Sequence, residues 1–165
     1  MIGELLWAVK TSLLGYVAAQ ADGTIEVTGG AERSDDRRFR FPLVPQPGEP
    51  TGTLMFRGGI RLHAHGGLMD VTLEDPWIST GAESTVSVLA TTGGEDPERI
   101  VLARFALLPD GEHAWRGERV RLTSDGAFAL GGLQYHEHQQ VDDLAFSAPA
   151  GDAPDTTHLT EKSSR

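Results

Sequence analysis

The segment GIRLHAHGGLMDVTL, residues 59–73, has the pattern of two β-strands joined by a tight turn. Its two apolar runs contain the isoleucine, valine, leucine and threonine residues that are common in strands. Between the runs, Gly66 and Gly67 supply the backbone freedom that a sharp reversal needs. The segment therefore predicts strands over Gly52–His65 and Met69–Leu73.

The same texture continues on both sides of this segment. Short runs rich in Val, Thr, Ile, Leu and Phe alternate with glycine-containing turns, which is typical of a β-rich domain. Residues 44–52 carry three prolines and residues 93–98 are polar, so both predict loops. Further strands are predicted near Thr24–Thr28, Phe39–Leu43, Trp77–Ser79, Thr85–Thr91, Ile100–Leu108, Val120–Thr123 and Ala145–Ser147.

One amphipathic helix is predicted ahead of the strands, over Glu4–Gln20. Its apolar residues recur at spacings of three and four, and Asp22-Gly23 follows as a stop signal. These apolar positions are Leu5, Leu6, Val9, Leu13, Tyr16 and Val17. The order of elements predicts a mainly β (α+β) fold, an antiparallel β-sheet or sandwich with one N-terminal amphipathic helix packed on it.

The chain is long enough to form one globular domain with its own core. Its 165 residues are 39% hydrophobic, and we assign residues 1–148 to this domain. Residues 149–165 are polar and almost free of large apolar side chains. They are therefore predicted to form a flexible polar tail.

Composition excludes several classes of function. The chain has no cysteine, so disulfides, thiolate metal sites and cysteine nucleophiles are excluded. Asp and Glu number 24 against 14 Lys and Arg, and the net charge of −10 disfavours nucleic acid and anionic lipid as partners. No phosphate-binding loop, dinucleotide-binding glycine pattern or nucleophile elbow occurs in a suitable context.

The sequence carries no sign of membrane insertion or export. The N-terminal residues lack the basic region and long apolar stretch of a secretory signal, because Glu4 and Lys10 interrupt the apolar residues. No run approaches the roughly 20 apolar residues of a membrane-spanning helix. A cytoplasmic location is expected for the sequence as written, and an extracellular or cell-surface location if a leader has been removed.

Two histidine pairs are candidate metal ligands. In extended backbone, His63 and His65 face the same side, as do His136 and His138. If the pairs converge, with Glu137 nearby, they predict a site for zinc, manganese or iron without haem. His-x-His pairs are also frequent on exposed strands, so this remains one of several hypotheses.

Three stretches together resemble the haem-transport-associated (HtaA) domain family of actinobacterial haem-acquisition proteins. The first is LWAVKTSLLGYV at residues 6–17, similar to the opening helix of the family. The second is residues 59–71, similar to its strand, His-x-Gly turn and strand. The third runs from Leu122 to Phe146, where GGLQY at residues 131–135 leads to DDLAF at residues 142–146, and Phe39–Pro42 is also family-like. Their order and spacing over about 130 residues carry the resemblance.

The resemblance implies a haem site with a tyrosine ligand. By matching position, Tyr16 is the axial ligand of ferric haem b, His65 hydrogen-bonds its phenolic oxygen, and Tyr135 lines the pocket. The chain departs from the family pattern after Tyr135, where His136-Glu137-His138 follow in place of a small residue and a glycine.

The residues themselves are suited to this chemistry. Ferric iron prefers a hard anionic oxygen donor, and a neighbouring histidine can accept the phenol proton or donate a hydrogen bond to the phenolate. The chain has two tyrosines, and both fall on family positions. From residue type alone, a tyrosine ending such a helix is more often an ordinary half-buried residue.

Haem is a large apolar plate with two acidic propionates, so its site needs apolar walls and a few cationic donors. Wall candidates are Trp7, Phe41, Met55, Phe56, Leu68 and Met69. Candidates for the propionates are Lys10, Arg57 and Arg61. The full set of predicted cofactor-binding residues is Tyr16, His65, Tyr135, Trp7, Met69, His63 and His136.

The expected function is therefore haem binding for transport, storage or transfer, by a carrier rather than an enzyme. Haem, another haem-carrying protein and a second copy of the chain are the expected partners. A haem-dependent, peroxidase-like enzyme is the alternative on the same scaffold, because His136 and His138 are candidate acid–base residues beside the iron. The non-haem metal domain with His-x-His pairs is the other alternative.

Overall fold

The computed structural model describes residues 3–46, 52–131 and 134–149 of the chain. Two α-helices lie within these residues, α1 at Thr11–Ala19 and α2 at Ser124–Gly131. The strands are β1 Glu4–Trp7, β2 Thr24–Thr28, β3 Glu32–Arg33, β4 Phe39–Pro42, β5 Thr53–Met55, β6 Gly59–Ala64, β7 Met69–Ser79, β8 Ser84–Thr92, β9 Glu98–Pro109, β10 Ala114–Leu122 and β11 Leu144–Ser147. A short 3₁₀ turn, His65–Gly67, joins β6 to β7.

All of these strands belong to one antiparallel sheet that curls back on itself. The order is β2-β6-β7-β8-β9-β10-β11-β1-β4-β3, and β5 pairs with β7. Backbone hydrogen bonds from Val44 N–H to the Met55 carbonyl (2.8 Å) and from Arg57 N–H to the Pro42 carbonyl (2.9 Å) join the end of β4 to β5. The sheet is therefore nearly closed into a barrel, and the predicted fold class is confirmed.

The core fills the inside of the curled sheet because side chains alternate along each strand. In β8, every second residue from Ser84 to Ala90 is buried. In β7, the alternation shifts at a bulge between Glu74 and Trp77, where Asp75 has φ 49°. The bulge explains why one long strand was predicted as two, over Met69–Leu73 and Trp77–Ser79.

The N-terminal helix is shorter than its predicted range. Glu4–Trp7 forms β1, which pairs with β4 on one side and β11 on the other, and helix begins only at Thr11. Leu5 and Trp7 alternate in burial with their neighbours as strand residues do. The spacing of three and four across Leu5 and Val9 was therefore coincidental, and pairing on both edges fixes this segment as strand.

The start of α1 is held by a residue from the far end of the domain. Asp142 accepts hydrogen bonds from the backbone N–H of Thr11, at 3.0 Å, and from its hydroxyl. The indole N–H of Trp7 donates to the Asp142 carbonyl at 2.8 Å. Asp142 thus satisfies a donor at the N-terminus of the helix.

A second helix, α2, was not predicted, so the expected count of one helix was wrong. The hydroxyl of Thr123 accepts a hydrogen bond from the N–H of Gly126 at 3.0 Å, in the manner of an N-cap. Thr123 had been predicted as the end of a strand over Val120–Thr123, but in the structure β10 ends at Leu122 and Thr123 lies outside it. Within the described residues, no helix is long and apolar enough to cross a membrane.

The predicted division into a domain at residues 1–148 and a tail at residues 149–165 stays a prediction. Residues 150–165 lie outside the described residues.

Candidate functional site

A cleft of about 570 Å³ opens where four parts of the fold meet. The end of α1, the turn between β6 and β7, the turn after β8 and the second half of α2 each supply part of its wall. Met69, Val71 and Leu130 provide apolar surface inside it. Clefts of about 300–1,000 Å³ are typical of sites for cofactors and other small molecules.

Tyr16 and His65 share one wall of this cleft. The phenolic oxygen of Tyr16 lies 2.6 Å from Nε2 of His65, within hydrogen-bond distance, and the ring centroids are 5.7 Å apart. Leu13 and Val17 anchor α1 in the core, whereas the Tyr16 side chain remains 40% exposed. The phenolic oxygen is therefore accessible from the cleft and is not sealed among packed side chains.

The imidazole reaches Tyr16 because the backbone changes direction at His65. This residue has φ 57°, so β6 ends there and the 3₁₀ turn begins. The carboxylate of Asp22 accepts hydrogen bonds from the N–H groups of His65 and Gly66. These bonds, first that of Gly66 and then that of His65, lower the pKa of Asp22 below its usual value of 3.8.

Tyr135 is half-buried and stands near Tyr16. Burial is the main cause that raises the pKa of Tyr135, and charge on Tyr16 raises it further. A side chain at Gly131 would come within 3.3 Å of the Tyr135 ring, so this glycine lets the ring pack against the end of α2. Lys10 Nζ lies 6.0 Å from the ring centroid on a cation–π contact.

Two large apolar side chains of the cleft are unusually exposed. Leu68, in the turn after β6, is 93% exposed, and Phe128, on α2, is 73% exposed. Both line the cleft, together with the half-buried Met69. Apolar side chains that converge on an open cleft provide contact area for a flat apolar ligand.

Within the described residues, the carboxylates that line the cleft are those of Asp70 and Glu95. Asp70 forms a two-contact ion pair with Arg61, at 2.9 and 3.1 Å, and this pairing lowers the pKa of Asp70. Glu95 accepts a hydrogen bond from the Thr92 hydroxyl at 3.3 Å. The carboxylate of Glu95 is thus the less compensated charge on the cleft wall.

Several predicted wall residues belong to the core instead. Trp7 is 1% exposed in β1, so its assignment to the cofactor site is corrected. Phe41 and Phe56 are likewise buried within the curled sheet. Leu68 and Met69 do line the cleft. These three aromatic side chains therefore pack in the core and stabilise the fold.

The histidine pairs do not form the predicted metal site. His63 lies opposite the buried face of β6, whereas His65 has left the strand, so the two do not share a face. His136 and His138 lie on an exposed turn, and His136 is not part of the cleft wall. Across residues 3–46, 52–131 and 134–149, no three His, Asp or Glu side chains could hold a metal ion together.

Some cleft residues were missed by the sequence analysis. Phe128 and Leu130 lie on α2, which was not predicted, and the only sequence signal for it was the Thr123-Ser124-Asp125 run that suits a helix start. Asp22 was interpreted only as part of a helix stop. Its contact with the turn at His65 depends on tertiary structure, so no local pattern could have revealed it.

The fold and the cleft define a small antiparallel β-domain of the ligand-binding type, with a phenol and an imidazole on one wall of an apolar cleft. The chain belongs to the HtaA family, whose sequence model, described as Htaa, matches residues 2–147. The resemblance stated from the sequence is therefore confirmed. No curated protein matched the chain.

Three solved structures from Corynebacterium glutamicum share the fold. The C-terminal domain of HtaA has a TM-score of 0.74 and 22% identity, covering 90% of this chain and 96% of that domain. The N-terminal domain of HtaA has a TM-score of 0.72 and 21% identity, covering 91% and 98%. The heme binding protein HtaB has a TM-score of 0.70 and 19% identity, covering 88% and 91%.

Proposed function

We propose that this chain is a haem-binding protein in which Tyr16 is the axial ligand of ferric haem b. The observation that carries the proposal is the Tyr16–His65 pair, with 2.6 Å between the phenolic oxygen and Nε2, on the wall of an apolar cleft. An exposed phenol that points at an imidazole is the arrangement that a tyrosine ligand requires.

The side chains support the loss of the phenol proton. Ferric haem supplies a hard cationic centre that prefers an anionic oxygen. Nε2 of His65 can accept the proton of Tyr16 and then donate a hydrogen bond to the phenolate oxygen, so that the charge stays balanced at the wall. His65 would therefore be the group that receives the proton when the phenol of Tyr16 binds the iron.

The cleft fits the group in size and in polarity. Its volume of about 570 Å³ is suited to one cofactor, and Leu68, Met69 and Phe128 offer apolar contact. The carboxylates of Asp70 and Glu95 would repel the propionates. Leu68, Met69 and Phe128 would therefore hold the apolar part of the group, and the propionates would find no lysine or arginine among the described residues of the cleft wall.

Relatives give further support. One of the structures that share the fold is described as a heme binding protein. At 19% identity, this likeness supports a shared fold but not a shared ligand. The proposal therefore depends on the Tyr16–His65 pair in this chain.

A carrier role for transport, storage or transfer suits the site better than catalysis. His65 is occupied by its contact with Tyr16, and His136 does not line the cleft. The histidines that the peroxidase-like alternative would use, His136 and His138, are therefore not among the described residues that line the cleft. Transfer to another haem-carrying protein and self-association stay predictions.

The direct test replaces each tyrosine in turn by phenylalanine. In hemin titrations followed by absorption, Tyr16→Phe should lose the phenolate-type ferric spectrum and bind at least about 100-fold more weakly, because the ligand oxygen is removed. The matched control, Tyr135→Phe, should keep the spectrum. If Tyr16→Phe retains the wild-type Soret band and affinity, the proposal fails.

A further inference from the structure

Asp22 joins the two chain segments that carry Tyr16 and His65. Its Oδ1 accepts a hydrogen bond from the N–H of His65 at 3.0 Å, and its Oδ2 accepts one from the N–H of Gly66 at 2.6 Å. Asp22 itself lies in the turn that directly follows α1. One side chain therefore connects the end of the helix of the phenol to the turn of the imidazole.

The turn that Asp22 holds has an unfavourable backbone. His65, Gly66 and Gly67 have φ values of 57°, 65° and 98°, so three consecutive residues lie in the left-handed region. The glycines adopt this conformation freely, whereas His65 has a Cβ atom that disfavours it. If His65 continued the extended backbone of β6, its ring would share the face of His63, which is not among the residues that line the cleft.

The contacts of Asp22 compensate for this conformation. Consecutive amides, from His65 and Gly66, bind one carboxylate, which is possible only while the backbone is turned as observed. The two bonds also keep the pKa of Asp22 low, so the carboxylate is charged at neutral pH. Hydrogen bonds to a charged acceptor are stronger than those between neutral groups.

We propose that Asp22 is a positioning residue of the site, which holds His65 in the left-handed conformation from which Nε2 reaches the phenolic oxygen of Tyr16. The consequence for haem rests on the function proposed above. The Tyr16–His65 hydrogen bond itself is present in the haem-free chain, so the positioning role can be tested without haem.

The first measurement uses the haem-free protein with ¹⁵N-labelled histidine. Asp22→Asn keeps the size of the side chain but removes its charge and replaces one acceptor with a donor. Its His65 ring-nitrogen shifts should move to those of Tyr16→Phe, in which the hydrogen bond cannot form. Asp36→Asn is the matched control, because Asp36 also accepts hydrogen bonds in an exposed turn, but from Ser34 and Arg38 and not from the turn of His65. Unchanged His65 shifts in Asp22→Asn would overturn the proposal.

The second measurement is a double-mutant cycle on the rate of haem loss to a scavenger protein. Asp22→Asn and His65→Ala should each raise this rate by about tenfold or more, as expected for residues that support a ligand. The double variant should lose haem no faster than His65→Ala, because Asp22 acts through His65. Multiplicative effects would contradict the proposal. If the wild type fails to bind hemin, the haem function fails, while the ring-nitrogen shifts still decide the role of Asp22.

Discussion

Trp7 and Tyr16 belong to one short N-terminal segment and lie in opposite environments. Trp7, in β1, is 1% exposed and donates its indole hydrogen bond to the backbone of Asp142. Tyr16, in α1, is 40% exposed and directs its phenol towards His65 at the cleft. The two side chains show that neighbouring aromatic residues can separate completely into a structural role and a site role.

The difference follows from how regular the backbone is around each residue. β1 is paired on both edges, so its backbone hydrogen bonds are made with β4 and β11. The alternation of side chains along the strand then buries Trp7. The site is built where regular structure stops: at the end of α1, at the left-handed turn of His65 and at the end of α2. Regular structure fixes the core, and its interruptions expose the reactive groups.

The strongest test of this comparison is Trp7→Ala. Removal of a fully buried indole should lower the free energy of unfolding by about 3–5 kcal/mol, whereas Tyr16→Phe should lower it by about 1 kcal/mol or less. Urea denaturation followed by fluorescence and circular dichroism measures both. Equal costs for the two variants would show that Tyr16 is part of the core and would break the comparison.

A smaller effect is expected where the two regions meet, at Asp142. Asp142→Ala removes the acceptor of the Thr11 N–H and hydroxyl at the start of α1. The free energy of unfolding should fall by about 1–2 kcal/mol, as for the loss of a helix cap. The control is the exposed neighbour Asp143. Asp143→Ala should change the free energy of unfolding by no more than about 0.5 kcal/mol. A fall of similar size in both variants would exclude a capping role.

The smallest expected effect concerns charge at the cleft. Glu95→Gln keeps the acceptor for Thr92 and removes a carboxylate of the cleft wall, which would repel the two propionates of haem. Hemin affinity should rise by about two- to fivefold at low salt, and the gain should shrink as salt is added. Glu98→Gln, outside the cleft wall, should leave the affinity unchanged. The rise should also vanish for the hemin dimethyl ester. If the ester gains equally, the effect is not electrostatic.

Much of the sheet could be predicted because its strands have local signatures. Thr24–Thr28 matches β2 in both bounds, and the turn in the 59–73 segment was predicted correctly. The single strand predicted over Gly52–His65 was wrong, because the structure divides it into β5 and β6 and places His65 in the turn. β1 was missed because a four-residue strand is too short to distinguish from a helical spacing. Helix α2 was missed because Gly126 and the few apolar residues around it give a weak pattern.

The candidate site was predictable only in part. The resemblance implied that Tyr16 and His65 meet, and the structure brings them together. The side on which the His65 ring lies depends on the positive φ of this residue. Strand alternation alone would place the ring on the wrong face. The roles of Phe128 and Asp22 depend on contacts between segments distant in sequence, so no local pattern could have assigned them.

The position of β11 also determines when the domain can form. β11 lies between β10 and β1, so among the described residues the last strand in sequence completes the pairing of the first. During synthesis, β1 leaves the ribosome early and lacks one of its two neighbours until residues 144–147 follow. The curled sheet can therefore close only after nearly all of the domain has been translated, and a nascent chain that stops before β11 leaves two strand edges open to wrong partners.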